Sequence, residues 1–300
     1  MKRPFGWATL LLVAGCGGHP APNAPEDAKL AQAGDSGRQS LEFGRVKQAA
    51  SEYRQAYTLA LARDDVQAIG NSGYNLAVVQ LADGDAAGAL RTALRTRDAL
   101  AMRAAPGFAE LDLVQSAALH RLGRDLDADV LAARAQATAG NPDILARASY
   151  VRGLIADTRG DAAGVTAALA GFGRPKTPSA DWQADHEELT ARLNLLDGQY
   201  RQAAVHAQHA ADIHRAELEY RAMANTLALA ALAMQRAGSP RAAASLYVQA
   251  AESAAARGDT ASAGRWRKQA TSLGSDGTAR HAVRTSAERK PGGVTRGEWH

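Results

Sequence analysis

Three histidines within one short stretch have the spacing that metal chemistry needs. His206 and His209 lie three positions apart, so a helix places both on one face, and Asp212 follows three positions later. Imidazole and carboxylate groups arranged in this way are common ligands of divalent transition metals. Together with His214, these residues leave open a metal-binding or enzymatic helical module, for which the alternative is a solvated helix face.

Two other short motifs contain part of a catalytic site and lack the rest. Residues 34–37, GDSG, resemble the nucleophile stretch of trypsin-like proteases, which need a β-barrel and a histidine and an aspartate supplied by its strands. Residues 186–190, HEELT, resemble a zinc-protease motif but place Thr190 where the second histidine ligand belongs. We therefore expect a protein that is not an enzyme and that needs no cofactor.

Cys16, the only cysteine of the chain, ends a segment that predicts export. A positively charged start (residues 1–3) precedes an apolar run (residues 7–13), and the small residues Ala14 and Gly15 follow. The run is well short of the roughly 20 residues that a permanent membrane helix needs, so it predicts a signal peptide. A single cysteine also excludes an internal disulfide.

The sequence VAGC at residues 13–16 resembles the lipobox of bacterial lipoproteins, in which cleavage leaves an acylated cysteine at the N-terminus. The resemblance implies a signal peptide over residues 1–15, a palmitate-bearing Cys16 and a Pro/Ala-rich tether over residues 16–27. Gly17 lies where aspartate commonly retains lipoproteins in the inner membrane, which implies the outer membrane, facing the periplasm. An ordinary secretory signal, or a cytoplasmic protein with an apolar start, is the alternative.

Composition and charge limit the fold and the partners. The formal net charge of +4 falls to +2 without Lys2 and Arg3, and mixed signs along the chain argue against nucleic-acid binding. Aromatic residues make up only 5% of a chain that is 46% hydrophobic and rich in alanine. Because small side chains cannot fill wide gaps, the core must come from closely packed helices.

Glycines spaced 37 to 40 residues apart divide the chain into repeats. Small residues recur seven positions before them, and small or apolar residues recur five and twelve positions after them, which predicts a solenoid. A glycine can take the left-handed conformation that reverses the chain, and small neighbours let the two helices approach closely. The turn glycines are Gly44, Gly84, Gly123, Gly160, Gly198 and Gly238.

These columns, with Tyr53 and Tyr247 between the later alanines and Tyr200 just after its turn, resemble the tetratricopeptide repeat. The resemblance implies an all-α, right-handed α-solenoid of about six helix-turn-helix repeats over residues 28–273, with Trp266 in a short terminal helix. A generic antiparallel helical bundle is the alternative. Residues 274–300 lose the periodicity and predict a disordered basic tail.

In tetratricopeptide proteins the first helices usually line a concave face that binds a peptide or a partner segment. The asparagine of the carboxylate clamp is missing at the matching positions, so a free C-terminal peptide is not the obvious ligand. The resemblance therefore implies a protein-binding scaffold, tethered to the envelope membrane through Cys16, that serves envelope assembly. The matching positions give these peptide-binding candidates: Asn71, Tyr74, Leu113, His120, Arg121, Arg147, Tyr150, Asp157, Glu188, Arg192, Asn225 and Gln235.

Overall fold

The computed structural model describes residues 27–288, with side chains described as far as Gly274. The predicted signal peptide, the lipobox and nearly all of the tether lie outside the described residues, as do residues 289–300 of the tail. Thirteen α-helices and no strands occur in the described residues, which confirms the all-α prediction. No helix in this part of the chain combines the length and the apolar character that a membrane span requires.

The helices form six hairpins and one terminal helix, as the number of turn glycines predicts. The hairpins are α1 (Ala28–Glu42) with α2 (Val46–Arg63), α3 (Val66–Asp83) with α4 (Ala86–Ala101), α5 (Ala109–Arg121) with α6 (Asp125–Thr138), α7 (Pro142–Thr158) with α8 (Ala162–Gly171), α9 (Ala180–Leu196) with α10 (Tyr200–Ala216), and α11 (Tyr220–Arg236) with α12 (Pro240–Ala256); the terminal helix is α13 (Thr260–Glu288).

Each predicted turn glycine has the left-handed conformation, with φ between 68° and 91°. After Gly84, the Asp85 N–H donates back to the Gln80 carbonyl at 2.8 Å, which satisfies a carbonyl at the end of α3. The Asp85 side chain then accepts the Gly88 N–H at 2.8 Å and caps the start of α4. Two adjacent residues therefore end one helix and begin the next.

The predicted columns of small residues lie between the helices. The residues five and twelve positions after each turn glycine have a relative exposure of 0% in all six hairpins. Gly153 lies seven positions before Gly160, and a Cβ placed on it would be 2.5 Å from Leu189 Cδ1 on α9. A Cβ at this position would force the Leu189 side chain to shift, so the crossing of α7 and α9 favours a glycine.

The helices pack in chain order, as a solenoid requires. Each helix contacts the next one along the chain, and α3, α5, α7 and α9 also contact one another in series. Contacts between successive repeats distinguish a solenoid from a closed bundle. The α-solenoid prediction is confirmed, while its handedness stays a prediction.

The fourth repeat, which has the weakest pattern in the sequence, contains the shortest of the described helices, α8. Phe172 fills the space beyond it and is fully buried. Its ring lies edge-on to Trp182, with centroids 5.8 Å apart, and Trp182 stacks on His186 at 4.9 Å. A large aromatic side chain therefore occupies a column position that is otherwise held by alanine or threonine.

The terminal helix α13 covers the last hairpin but is longer than the sequence predicts. Trp266, Ala270 and Leu273 pack against the core formed by α11 and α12. The expected end near Leu273 differs from the observed end at Glu288. No proline occurs between Leu273 and Pro291, so the helical hydrogen bonds can continue.

Candidate functional site

The first helices of the second to sixth hairpins make up the surface that is called here the inner face. It consists of α3, α5, α7 and α9, which contact one another in series, and α11 of the sixth hairpin. The surface curls back on itself, because Arg221 Nη1 at the start of α11 lies 3.9 Å from the position of a Cβ on Gly84, after α3. Side chains from distant repeats therefore meet across the inner face.

Seven polar side chains in the middle of this face bind one another across α7 and α9. Arg147 on α7 contacts Asp181 Oδ2 at 2.5 Å and Asp185 Oδ2 at 2.9 Å, both on α9. The group is called here the α7–α9 network and consists of Arg147, Tyr150, Asp157, Asp181, Asp185, Glu188 and Arg192.

The second half of the α7–α9 network is centred on Glu188. The Tyr150 hydroxyl donates to Glu188 Oε2 at 2.9 Å, and Arg192 Nη2 donates to Glu188 Oε1 at 2.6 Å. Arg192 Nη1 also donates to Asp157 Oδ2 at 2.7 Å. Five of the predicted peptide-binding residues therefore lie together, and they bind each other or α9 carboxylates.

Burial makes this network electrostatically unusual. Burial raises the pKa of Asp185 to about 7, although the positive charge of Arg147 opposes the shift. Burial, together with the negative charge of Glu188, raises the pKa of Tyr150 well above its ordinary value. Burial disfavours the charge on Arg147, but Asp185 and Asp181 outweigh that effect and raise its pKa. The arginine charges are thus held in place by the acids around them.

Three other predicted residues are used structurally. The Tyr74 ring packs edge-on against Phe108, with centroids 6.4 Å apart. Leu113 is half-buried and packs into the core between α5, α6 and α7. His120 Nδ1 lies 2.8 Å from Asp125 Oδ1, which joins the two ends of one hairpin turn. These contacts explain the positions of all three side chains, so no ligand is needed to explain them.

Asn71 on α3 and Asn225 and Gln235 on α11 differ from the residues above because their side chains are exposed. Among the described residues, none of the three amides has a hydrogen-bond partner. Each amide offers both donors and an acceptor, which is what the backbone of an extended segment needs. These three amides therefore remain open to a partner.

A group of arginines lies where the inner face curls back, at the turn after α3. Arg121 Nη1 donates to the Leu81 carbonyl on α3. Desolvation and the charge of Arg221 lower the pKa of Arg121, although its side chain is exposed. Arg257, after α12, also has a pKa lowered by desolvation and by Arg221. Arg221 also lies beside Gly84, close to the carbonyl that Arg121 binds, and Arg121, Arg221 and Arg257 are called here the arginine site.

The three histidines do not form one centre. His206 Nδ1 and His209 Nδ1 lie 2.6 Å and 3.3 Å from Glu187 of α9. His214 is buried and lies 2.7 Å from Glu219, at the other end of α10. No group of three or more His, Cys, Asp or Glu side chains in the described residues could hold a metal ion. The prediction that the three histidines share one metal centre is therefore not supported by the described residues.

The spacing of the turn glycines misses two features of the inner face. Asp181 belongs to the α7–α9 network but lies outside the positions that match the concave lining. Arg221 approaches Arg121 only because the solenoid curls, and no local pattern in the sequence encodes that approach. Asp181 lies four positions before Asp185, which places both on one face of α9. This spacing is the signal in the sequence that could have identified Asp181.

No protein-family model matches the chain, and no curated protein matches it either. The chain is similar to a solved tetratricopeptide repeat protein from Parabacteroides merdae, at 15% identity and a TM-score of 0.46, over 82% of this chain and 100% of that one. It is also similar to the TPR2AB domain of yeast Sti1, solved as a pHSP90 complex, at 14% identity and a TM-score of 0.33, over 81% and 98% of the two chains. A TPR repeats protein from Bacteroides fragilis matches at 13% identity and a TM-score of 0.30, again over 81% and 98%.

Proposed function

We propose that this chain is a membrane-anchored repeat lipoprotein that acts as a protein-binding scaffold in cell-envelope assembly. It binds an extended partner segment along the inner face, and its role is binding rather than catalysis. The observation that carries the proposal is the inner face itself, a series of first helices on which Asn71, Asn225 and Gln235 keep exposed amides. An extended segment needs such donors and acceptors for its backbone.

The predicted contact surface has two parts with different roles. The α7–α9 network keeps the face rigid, because its arginines are already bound to carboxylates. The exposed amides on α3 and α11 lie on either side of it in the order of the repeats and supply the contacts that a partner makes. A rigid surface reduces the ordering cost of binding, which favours capture of a flexible segment.

Site-specific photo-crosslinking in intact cells tests the scaffold. A photoreactive residue replaces Asn71 or Asn225 on the inner face, and a control replaces Gln208, an exposed residue of the second helix α10. We expect the two inner-face positions to crosslink to the same envelope protein and Gln208 to give none of that product. Equal crosslinking from all three positions would contradict binding along the inner face.

Metabolic labelling with palmitate tests the anchor separately. The wild-type chain is expected to incorporate label and to fractionate with the outer membrane, because acyl chains bury about 0.8 kcal/mol per CH₂ group. Cys16→Ser removes the acceptor thiol and should give an unlabelled chain that is released from the membrane. A wild-type chain without label would end the lipoprotein hypothesis and leave the binding hypothesis standing.

A further inference from the structure

The three side chains of the arginine site have few partners of their own. Within the described residues, no carboxylate lies within hydrogen-bond distance of Arg121, Arg221 or Arg257. The nearest one recorded is Asp259 Oδ2, 3.9 Å from Arg221 Nη1. The Asp259 side chain already accepts the Ser262 N–H at 3.0 Å, where it caps the start of α13. Its Oδ1 atom caps that helix while its Oδ2 atom faces Arg221, so a single acid of the described residues accompanies the three arginines.

Hydrogen-bond donors remain unused at this place. A guanidinium has five N–H donors. Arg121 uses one on the Leu81 carbonyl, and Arg257 uses one on the Ser253 carbonyl at 3.4 Å. The bond from Arg121 to the Leu81 carbonyl is explained by capping of the end of α3. The other donors of Arg121 and Arg257, and all those of Arg221, have no such explanation.

Three separate elements supply these like charges. Arg121 ends α5, Arg221 lies in the first turn of α11, and Arg257 follows α12. Arg221 is the common neighbour, because its charge acts on both of the others. Like charges on flexible side chains separate unless packing or a counter-ion keeps them together. The curl of the inner face brings Arg221 beside Gly84, three positions after Leu81, whose carbonyl binds Arg121.

From this geometry we propose that Arg121, Arg221 and Arg257 form a binding site for an oxyanion, a phosphate or carboxylate group carried by a ligand. Planar guanidiniums bind such groups through paired N–H donors, and three of them supply more donors than one oxyanion can accept. The anion would bridge α5, α11 and the end of α12, and so lock the curl of the solenoid. The site stands independently of the scaffold proposal and of the membrane anchor.

Thermal unfolding of the purified chain in sodium phosphate tests the site, with sodium chloride at matched ionic strength as the reference. We expect phosphate to raise the midpoint above that in chloride, because a ligand that binds the folded state stabilises it. Sodium acetate forms a second arm. A rise in phosphate alone identifies a phosphate site, and a rise in both identifies a general oxyanion site.

Variants separate specific binding from a general salt effect. Arg221→Gln is expected to weaken phosphate binding about tenfold, as loss of one charge-assisted contact does. The matched control is Arg201→Gln, an exposed arginine of α10 that also has no described carboxylate within hydrogen-bond distance, and it should bind phosphate like the wild type.

Arg257→Gln provides a second test that does not depend on whether the first variant folds. Arg257 lies in the turn after α12 and is exposed, so its replacement leaves the helices intact. It should also weaken phosphate binding about tenfold. The proposal is overturned if phosphate stabilises the wild type no more than chloride does, or if Arg201→Gln loses as much affinity as the two site variants.

Discussion

The α7–α9 network and the arginine site lie on the same inner face, yet their arginines have opposite surroundings. Arg147 and Arg192 each contact carboxylates at 3.0 Å or less. The nearest recorded carboxylate of the arginine site is 3.9 Å away, at Arg221. Packing explains the difference, because a half-buried guanidinium between α7 and α9 is tolerated only with bound acids, while the side chains of Arg121 and Arg257 are exposed.

This difference separates structure from binding on one surface. The polar residues of the network hold two repeats together and have little capacity left for a ligand. Those of the arginine site contribute little to packing and keep most of their donors. Residue type alone therefore does not show which positions of a repeat face are binding sites, since arginine occupies both. The contrast predicts that substitutions in the network change stability and that substitutions in the arginine site change binding.

The largest loss of stability is expected from Glu188→Ala. The substitution removes the acceptor of the Tyr150 hydroxyl and leaves Arg192 with Asp157 alone. Breaking a buried pair by removing one partner costs about 3–5 kcal/mol. Urea unfolding measures the effect, and Glu252→Ala, an exposed acid of α12, is the control that should stay near the wild type. If Glu188→Ala lost no more free energy of unfolding than Glu252→Ala, the network would not stabilise the fold.

Asp185→Asn should change the pH dependence of stability. Arg147 of α7 and His214 of α10 favour the carboxylate, Asp181 and Glu188 of α9 disfavour it, and burial raises its pKa to about 7. Between the unfolded pKa, near 4, and this value, the folded state binds a proton that the unfolded state does not, so stability falls as the pH rises.

The difference in stability between the wild type and Asp185→Asn isolates this effect from the other titrating groups. It should change by up to about 4 kcal/mol between pH 4 and pH 7 and be constant above that range. Urea unfolding at a series of pH values, under constant ionic strength, measures it. Parallel pH profiles for the two proteins would show that Asp185 ionises normally in the folded state.

A smaller loss is expected from Tyr150→Phe, which removes one hydroxyl and keeps the ring. The Glu188 carboxylate loses one donor but keeps Arg192, so the cost should be about 1–2 kcal/mol. Chemical unfolding measures it, and Tyr74→Phe is the matched control, because no hydrogen bond of the Tyr74 hydroxyl is recorded among the described residues. Equal losses in both variants would contradict the role of the Tyr150–Glu188 bond.

The repeat architecture could be predicted from the sequence because it depends on short-range constraints. A turn with positive φ selects glycine, as at Gly84, and a close helix crossing selects a small residue, as at Gly153. Both requirements recur with the repeat, so they leave a periodic signal. The fourth repeat also has the weakest pattern, in which a large Phe172 stands where the other repeats have alanine or threonine.

The sites were harder to predict because they depend on relations between repeats. The position of Arg147 in its repeat matches the lining of a binding face, but its partners Asp181 and Asp185 belong to the next repeat. The approach of Arg221 to Arg121 depends on the accumulated rotation of several repeats, to which each crossing contributes a small angle. The periodic pattern of the sequence therefore predicts the repeating unit of the solenoid but not its curvature.

The smallest effect on stability is expected in the arginine site, where Arg221→Gln should leave the free energy of unfolding within about 0.5 kcal/mol of the wild type in chloride buffer. The side chain makes no hydrogen bond to a carboxylate, and its removal relieves repulsion with Arg121 and Arg257. The same substitution should remove most of the stabilisation that phosphate gives relative to chloride. Urea unfolding in the two buffers measures both quantities on one protein. A large loss in chloride would show that Arg221 is a packing residue like those of the α7–α9 network, and the contrast between the two regions would then disappear.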